Sequence, residues 1–157
     1  MSEDGPEPVE WIPDDEWVTI VRNVPIVSVD LVVLTDDGVV LAKRTNEPAK
    51  GEWFVPGGRV RKGERLENAA HRVAEEELGI EVEIVESLGA YEHLYSESDV
   101  GGSGGKHYLA NGFVVRHVAG EIVSDEQHES VQVCTKLSKL HPYVQIYLDD
   151  ASILFNE

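Results

Sequence analysis

Residues 58–80, GRVRKGERLENAAHRVAEEELGI, constrain the fold of this chain more than any other stretch. Leu66, Ala69, Ala70, Val73 and Ala74 recur at helical spacing, so Glu64–Leu78 reads as an amphipathic helix. Gly79 is placed to end it, because glycine takes the left-handed conformation that closes a helix. Pro56-Gly57-Gly58 sets a tight turn ahead of it. Glu76 and Glu77 lie about one turn beyond Arg72 and Val73 and share their helix face. A solvated, salt-bridged face would explain the acids, but not the glycines or the Pro-Gly-Gly entry. Hard carboxylate oxygens here suit Mg²⁺, which binds through few protein ligands together with substrate phosphate oxygens.

The remaining pattern predicts a mixed α/β chain. Pro13-Asp14-Asp15-Glu16 starts a helix running to about Asn23, with proline and acids in its first turn. Ile26–Leu34 is a β-rich apolar run, Asp36-Asp37-Gly38 a turn, and Val39–Lys43 the returning strand of a hairpin. Further strands are expected near Val82–Val85, Leu88–Leu94 and Tyr108–Arg116, and a last helix over His141–Asp149. Ser96–Lys106, rich in serine, glycine and acid, reads as a loop. It lacks the Gly-Lys-Ser/Thr of a phosphate-cradling Walker loop. Strands alternating with helices predict a mixed sheet between helical layers, α/β/α, in one domain over 1–157 with an acidic tail over 1–12.

Charge narrows the partners. Thirty acidic residues against thirteen basic ones give a net charge of −17, which repels nucleic acid and anionic lipid. Disorder is the other meaning of such acidity, but 41% apolar content and clear periodicity oppose it. The better reading is a surface adapted to high salt, where screening removes self-repulsion. Cys134 is the single cysteine, so no intrachain disulfide forms. With no signal-peptide pattern and no apolar run of membrane-spanning length, the expectation is a soluble cytoplasmic protein.

The stretch 58–80 resembles the Nudix box, G-x5-E-x7-R-E-U-x-E-E-x-G-U, with U aliphatic. Gly58, Glu64, Arg72, Glu76, Glu77, Gly79 and Ile80 match, and Ala74 fits its aliphatic position loosely. Val73 stands where the box has a glutamate. The resemblance implies the Nudix fold and a hydrolase of nucleoside-diphosphate derivatives dependent on Mg²⁺, or Mn²⁺ in its place. Losing one carboxylate should weaken metal binding by the free protein and make the site lean on the substrate diphosphate.

Beyond the box, AKRTNEPAKGEWFVPGGRV and DEQH resemble one Nudix branch, the GDP-mannose mannosyl hydrolases, and the likeness runs over roughly residues 17–148. That branch also lacks the glutamate aligned with Val73, although this chain keeps Glu76 where the branch typically does not. The resemblance implies attack of water on the anomeric carbon of the sugar, release of GDP, and a homodimer. It implies His128 as general base, a role suited to imidazole because it titrates near neutral pH. Glu77, the Gly57 carbonyl and Gln127 would hold the metal, with Glu76 a further candidate. Arg44, Arg59 and Tyr108 match positions that contact the diphosphate, where guanidinium forks suit phosphate oxygens. Asp30, costly inside an apolar strand unless it has a partner, matches the sugar side together with His93. Packing or a structural hydrogen bond would also account for His93, an exposed ion pair for each arginine, and a surface position for His128. Trp53 and Phe54 read as core. Glu76 keeps two alternatives open: a diphosphohydrolase yielding a nucleoside monophosphate and a sugar phosphate, or a second metal. A non-catalytic nucleotide-sugar-binding protein is the third reading.

Overall fold

The computed structural model describes residues 5–122, 131–134 and 140–151. In chain order the elements are α1 (Asp14–Asn23), β1 (Ile26–Thr35), β2 (Gly38–Lys43), β3 (Trp53–Phe54), β4 (Gly57–Arg59), α2 (Leu66–Leu78), β5 (Glu81–Tyr95), β6 (Lys106–Ala119), β7 (Val131–Cys134) and α3 (Pro142–Asp150). The sheet runs β3-β2-β1-β6-β5, with β4 paired to β1 and β7 to β2. β1 and β6 are parallel, and the other pairs are antiparallel.

β1 lies in the middle of this sheet, which explains its near-continuous apolar run: both faces are covered. Val29, Leu31 and Val33 pack with Ala69, Ala70, Val73 and Ala74 of α2. Val32 and Leu34 pack on the opposite face with Val144, Tyr147 and Leu148 of α3. Alternation along the strand then puts Asp30 on the α3 face. The expected sandwich of a mixed sheet between helices is therefore present. Phe54 is buried, and Trp53 packs against the α3-side core, as expected of core residues.

Two expectations change. The two strands foreseen over Val82–Val85 and Leu88–Leu94 are one, β5, because register shifts at Glu81/Val82, Ile84/Glu86 and Ser87/Gly89 carry the pairing through the break in alternation. The helix begins at Leu66 rather than Glu64. Glu64 instead accepts from the Arg61 N–H at 3.0 Å and closes the preceding turn. The described part of the acidic tail runs beside the box, with the Val9 N–H donating to the Lys62 carbonyl at 3.2 Å. Among the described residues no helix is long and apolar enough to cross a membrane.

Candidate active site

Gly57, Gly58 and Arg59 make up β4, antiparallel to Asp30, Val29 and Ser28. The glycines are required by contact. A Cβ on Gly57 would collide with Asp30 Oδ1, and one on Gly58 would come within 2.9 Å of Val73 Cγ2. The sheet therefore lets a carboxylate lie over one glycine and the α2 core press on the next.

Arg72 ties the box together. Its Nε and Nη2 donate to Glu64 Oε2 and Oε1 at 2.7 and 2.9 Å, its Nη1 to Glu76 Oε1 at 3.0 Å, and Nη2 also to the Arg59 carbonyl at 2.8 Å. This fork holds the Glu64 carboxyl below its ordinary range. Arg61 Nη2 meets the other Glu76 oxygen at 3.3 Å. Both Glu76 oxygens are thus engaged by guanidinium groups. Glu77 behaves differently: burial, and then the charge of Glu76, push its carboxyl above the usual range. An acid held up in this way is stabilised by a cation that replaces its lost hydration.

The register supplies a second donor. The Leu31 N–H donates to the Pro56 carbonyl at 2.8 Å, and the Val60 N–H to the Val27 carbonyl at 2.9 Å. Antiparallel bonds alternate, so Gly57 and Arg59 turn their own carbonyls away from β1. The Arg59 carbonyl takes Arg72 from that side. Glu77 lies one turn after Val73, the residue in contact with Gly58. The Glu77 carboxylate and the Gly57 carbonyl are both hard oxygen donors, the kind that Mg²⁺ takes together with substrate phosphates, and these residues would hold such an ion. Among the described residues, no three acidic, histidine or cysteine side chains gather into a metal cluster.

Asp30, Arg44, Arg59, His93 and Tyr108, drawn from five separate segments, line one cleft of about 180 Å³ with Gly57 and Trp17. Burial lifts the Asp30 carboxyl to about 6, against the pull of the Tyr147 hydrogen bond and the Arg44 charge. Tyr147 Oη donates to Asp30 Oδ2 at 2.7 Å. Burial and the nearby His141 push His93 down to about 4, so its ring is neutral at physiological pH. Its Nε2 is 3.4 Å from Tyr147 Oη, and Tyr143 stacks on it at 4.3 Å between ring centroids. Arg44 is braced by Nε donating to the Pro48 carbonyl at 2.6 Å and by the Phe54 ring, 5.6 Å away. Arg59 lies over Trp17 at 5.6 Å, and burial together with Arg61 and Arg72 lowers its pKa. Two half-buried guanidiniums beside a glycine turn create a field for a doubly charged group.

Gln127 and His128 lie outside the described residues. The sequence reading missed Trp17, Arg61, Tyr143 and Tyr147. Trp17 carries no local signal beyond an amphipathic helix. Tyr143 and Tyr147, four apart in an apolar helix, look like core residues, and nothing nearby in sequence links them to Asp30.

Comparison with known proteins agrees with this geometry. Residues 24–154 match the NUDIX domain family model. The low-salt glycan biosynthesis protein Agl8 of Haloferax volcanii is 53% identical over 144 residues, covering 91% of this chain and 92% of that protein. An ADP-ribose pyrophosphatase of Methanocaldococcus jannaschii is 32% identical over 108 residues, covering 69% of this chain and 60% of that protein. Among solved structures, a MutT NUDIX hydrolase from Burkholderia pseudomallei superposes with a TM-score of 0.64 at 27% identity, covering 80% of this chain and 97% of that one. With the glycine turn, the Arg72-centred box and the two-layered helical cover all in place, the chain belongs to the Nudix hydrolase family and has its fold.

Proposed function

We propose that this protein hydrolyses a GDP-sugar, GDP-mannose first, to GDP and the free sugar. The cleft shared by Asp30, Arg44, Arg59, His93 and Tyr108 carries the reading. It joins a buried carboxylate–histidine pair, suited to sugar hydroxyls, to two guanidiniums suited to a diphosphate. The Haloferax relative, described as a glycan biosynthesis protein, supports a nucleotide-sugar substrate.

Arg44 and Arg59 would hold the diphosphate and take up charge as it departs. Asp30 and His93 would hold the hexose. His128 would accept a proton from water as the water oxygen bonds to the anomeric carbon. The bond from that carbon to the diphosphate oxygen breaks, and its electron pair leaves with GDP. Bound Mg²⁺, or Mn²⁺, would neutralise phosphate charge, held by Glu77, the Gly57 carbonyl and Gln127. The reading includes a homodimer, which sedimentation would check.

Hydrolysis in ¹⁸O water with product mass spectrometry tests the bond broken. GDP plus ¹⁸O-labelled mannose is expected. GMP with mannose 1-phosphate would overturn the reading in favour of a diphosphohydrolase, the alternative that the ADP-ribose pyrophosphatase relative supports.

A further inference from the structure

Asp30 stands in a row of glycines. Across the sheet at its level are Gly57 on β4 and Gly112 on β6, and Gly112 pairs in turn with Gly89 on β5. A Cβ on Gly112 would lie 2.9 Å from Tyr147 Cε1 and 3.3 Å from Tyr91 Cε1. The bare position lets the Tyr147 ring lie across β6, so that a helix-borne hydroxyl reaches a carboxylate 117 residues away in sequence. Tyr91 meets that ring edge-on at 4.6 Å and fixes its plane.

The hydroxyl has one proton, and it is donated in a hydrogen bond to the carboxylate oxygen at 2.7 Å. Tyr147 Oη is then the acceptor for an Nε2–H of neutral His93, 3.4 Å away. On the other side of the imidazole, Nδ1 is 3.9 Å from Asp30 Oδ2. Tyr143, one helical turn before Tyr147, stacks nearly parallel on His93, with 8° between planes. The Tyr143 hydroxyl accepts from the Leu94 N–H and donates to the Leu94 carbonyl, both at 3.0 Å, locking α3 to β5 beside His93. Phenylalanine would fill the space of Tyr147 equally well, so the hydroxyl is what the packing does not require.

We propose that Tyr147 is a positioning residue for the sugar half of the cleft, its hydroxyl joining Asp30 and His93 into one unit aimed at the hexosyl group. This rests on the nucleotide-sugar reading above and adds α3 to it. The hydroxyl fixes Asp30 Oδ2 and leaves Oδ1 over Gly57, in the cleft. Tyr147 itself is 1% exposed, so it acts through its two partners rather than on the substrate.

The test is a double-mutant cycle of Tyr147→Phe with Asp30→Asn. It uses whichever of GDP-mannose and ADP-ribose the wild type turns over, with the matching nucleoside diphosphate as competitive inhibitor. Tyr147→Phe is expected to lower kcat/KM by about 10–100-fold while Ki for GDP or ADP, which lack the sugar, stays within about twofold. On the Asp30→Asn background the same change should have little further effect. Tyr147→Leu, which also removes the ring, should lower the thermal midpoint, whereas Tyr147→Phe should largely keep it. A parallel rise in Ki, or an undiminished loss on the Asp30→Asn background, overturns the positioning role. Turnover of ADP-ribose alone removes the GDP-sugar reading but leaves the cycle to decide the role of Tyr147. Turnover of neither substrate overturns both.

Discussion

Val73 presses on Gly58 so closely that a Cβ on the glycine would come within 2.9 Å of Val73 Cγ2. Val73 is 1% exposed, so the position that holds a glutamate in the general box is here part of the α2-side core. A carboxylate there would be buried beside β4. Val73→Glu should destabilise the fold by about 3–5 kcal/mol when metal is chelated, as an uncompensated buried charge does. Added Mg²⁺ should recover part of the loss. Melts with and without chelator check this, and an unchanged midpoint in chelator would count against the packing argument.

Glu76 and Glu77 are adjacent but differently occupied. Arg72 and Arg61 hold Glu76, while Glu77 carries a raised pKa. Glu77→Gln should remove most activity and weaken Mg²⁺ binding measured calorimetrically in the presence of GDP. Glu76→Gln should do less to either, and because this ion pair is largely exposed its stability effect should stay below about 1 kcal/mol. Equal losses of activity would point to a standard multi-carboxylate site.

Stability should also report the strain at Asp30. Its folded pKa of about 6 stands above the ordinary 3.8, so the protonated form is favoured by folding. The associated stability is full below pH 3.8 and lost as pH rises through 6. His93, lowered to about 4 from 6.5, acts in the opposite sense: its contribution is present above 6.5 and lost as pH falls towards 4. Asp30→Asn removes the first effect, since an amide does not titrate in this range. The variant should be more stable than the wild type at pH 7.5, by an amount on the order of 2–3 kcal/mol, and lose that advantage near pH 4. Thermal melts at the two pH values decide, and a gain independent of pH refutes the assignment.

His128 and Arg44 should separate in kinetics. A general base contributes about 10²–10⁴-fold, so His128→Ala should cut kcat within that range, with GDP-mannose binding nearly intact and the acid limb of the pH profile gone. Arg44→Ala should weaken GDP binding as well as turnover, because it would meet the diphosphate before and during reaction. Near-normal turnover without His128 would send the search for a base to the acids of the box, Glu76 first.

Salt should stabilise this protein. With a net charge of −17, screening relieves repulsion among surface acids. The thermal midpoint should rise from low to molar potassium chloride. A flat or falling midpoint would argue against a surface adapted to high salt.

Local sequence determined much of this protein. The helical period of Leu66 to Ala74, Gly79 at the helix end, the Asp36-Asp37-Gly38 turn and the apolar run of β1 each follow from short-range sterics and burial, and each is present. The likeness beyond the box, carried by stretches such as AKRTNEPAKGEWFVPGGRV, pointed to Asp30, Arg44, Arg59, His93 and Tyr108 without giving their arrangement. That arrangement is tertiary. β1 must lie between β4 and β6 before Asp30 can meet Gly57 on one side and Gly112 on the other. α3 must cross β6 before Tyr147 reaches Asp30. The short strands β3, β4 and β7 owe their conformation to pairing with longer neighbours rather than to any propensity of two to four residues. The fate of Glu76 was equally hidden: its spacing fits a ligand or an ion pair, and only the approach of Arg61, fifteen residues earlier, joined to Arg72, engages both of its oxygens. Spacing fixes which groups can meet within a helix turn. Which groups meet across the sheet depends on how its strands are ordered, and that order is a property of the whole packed chain.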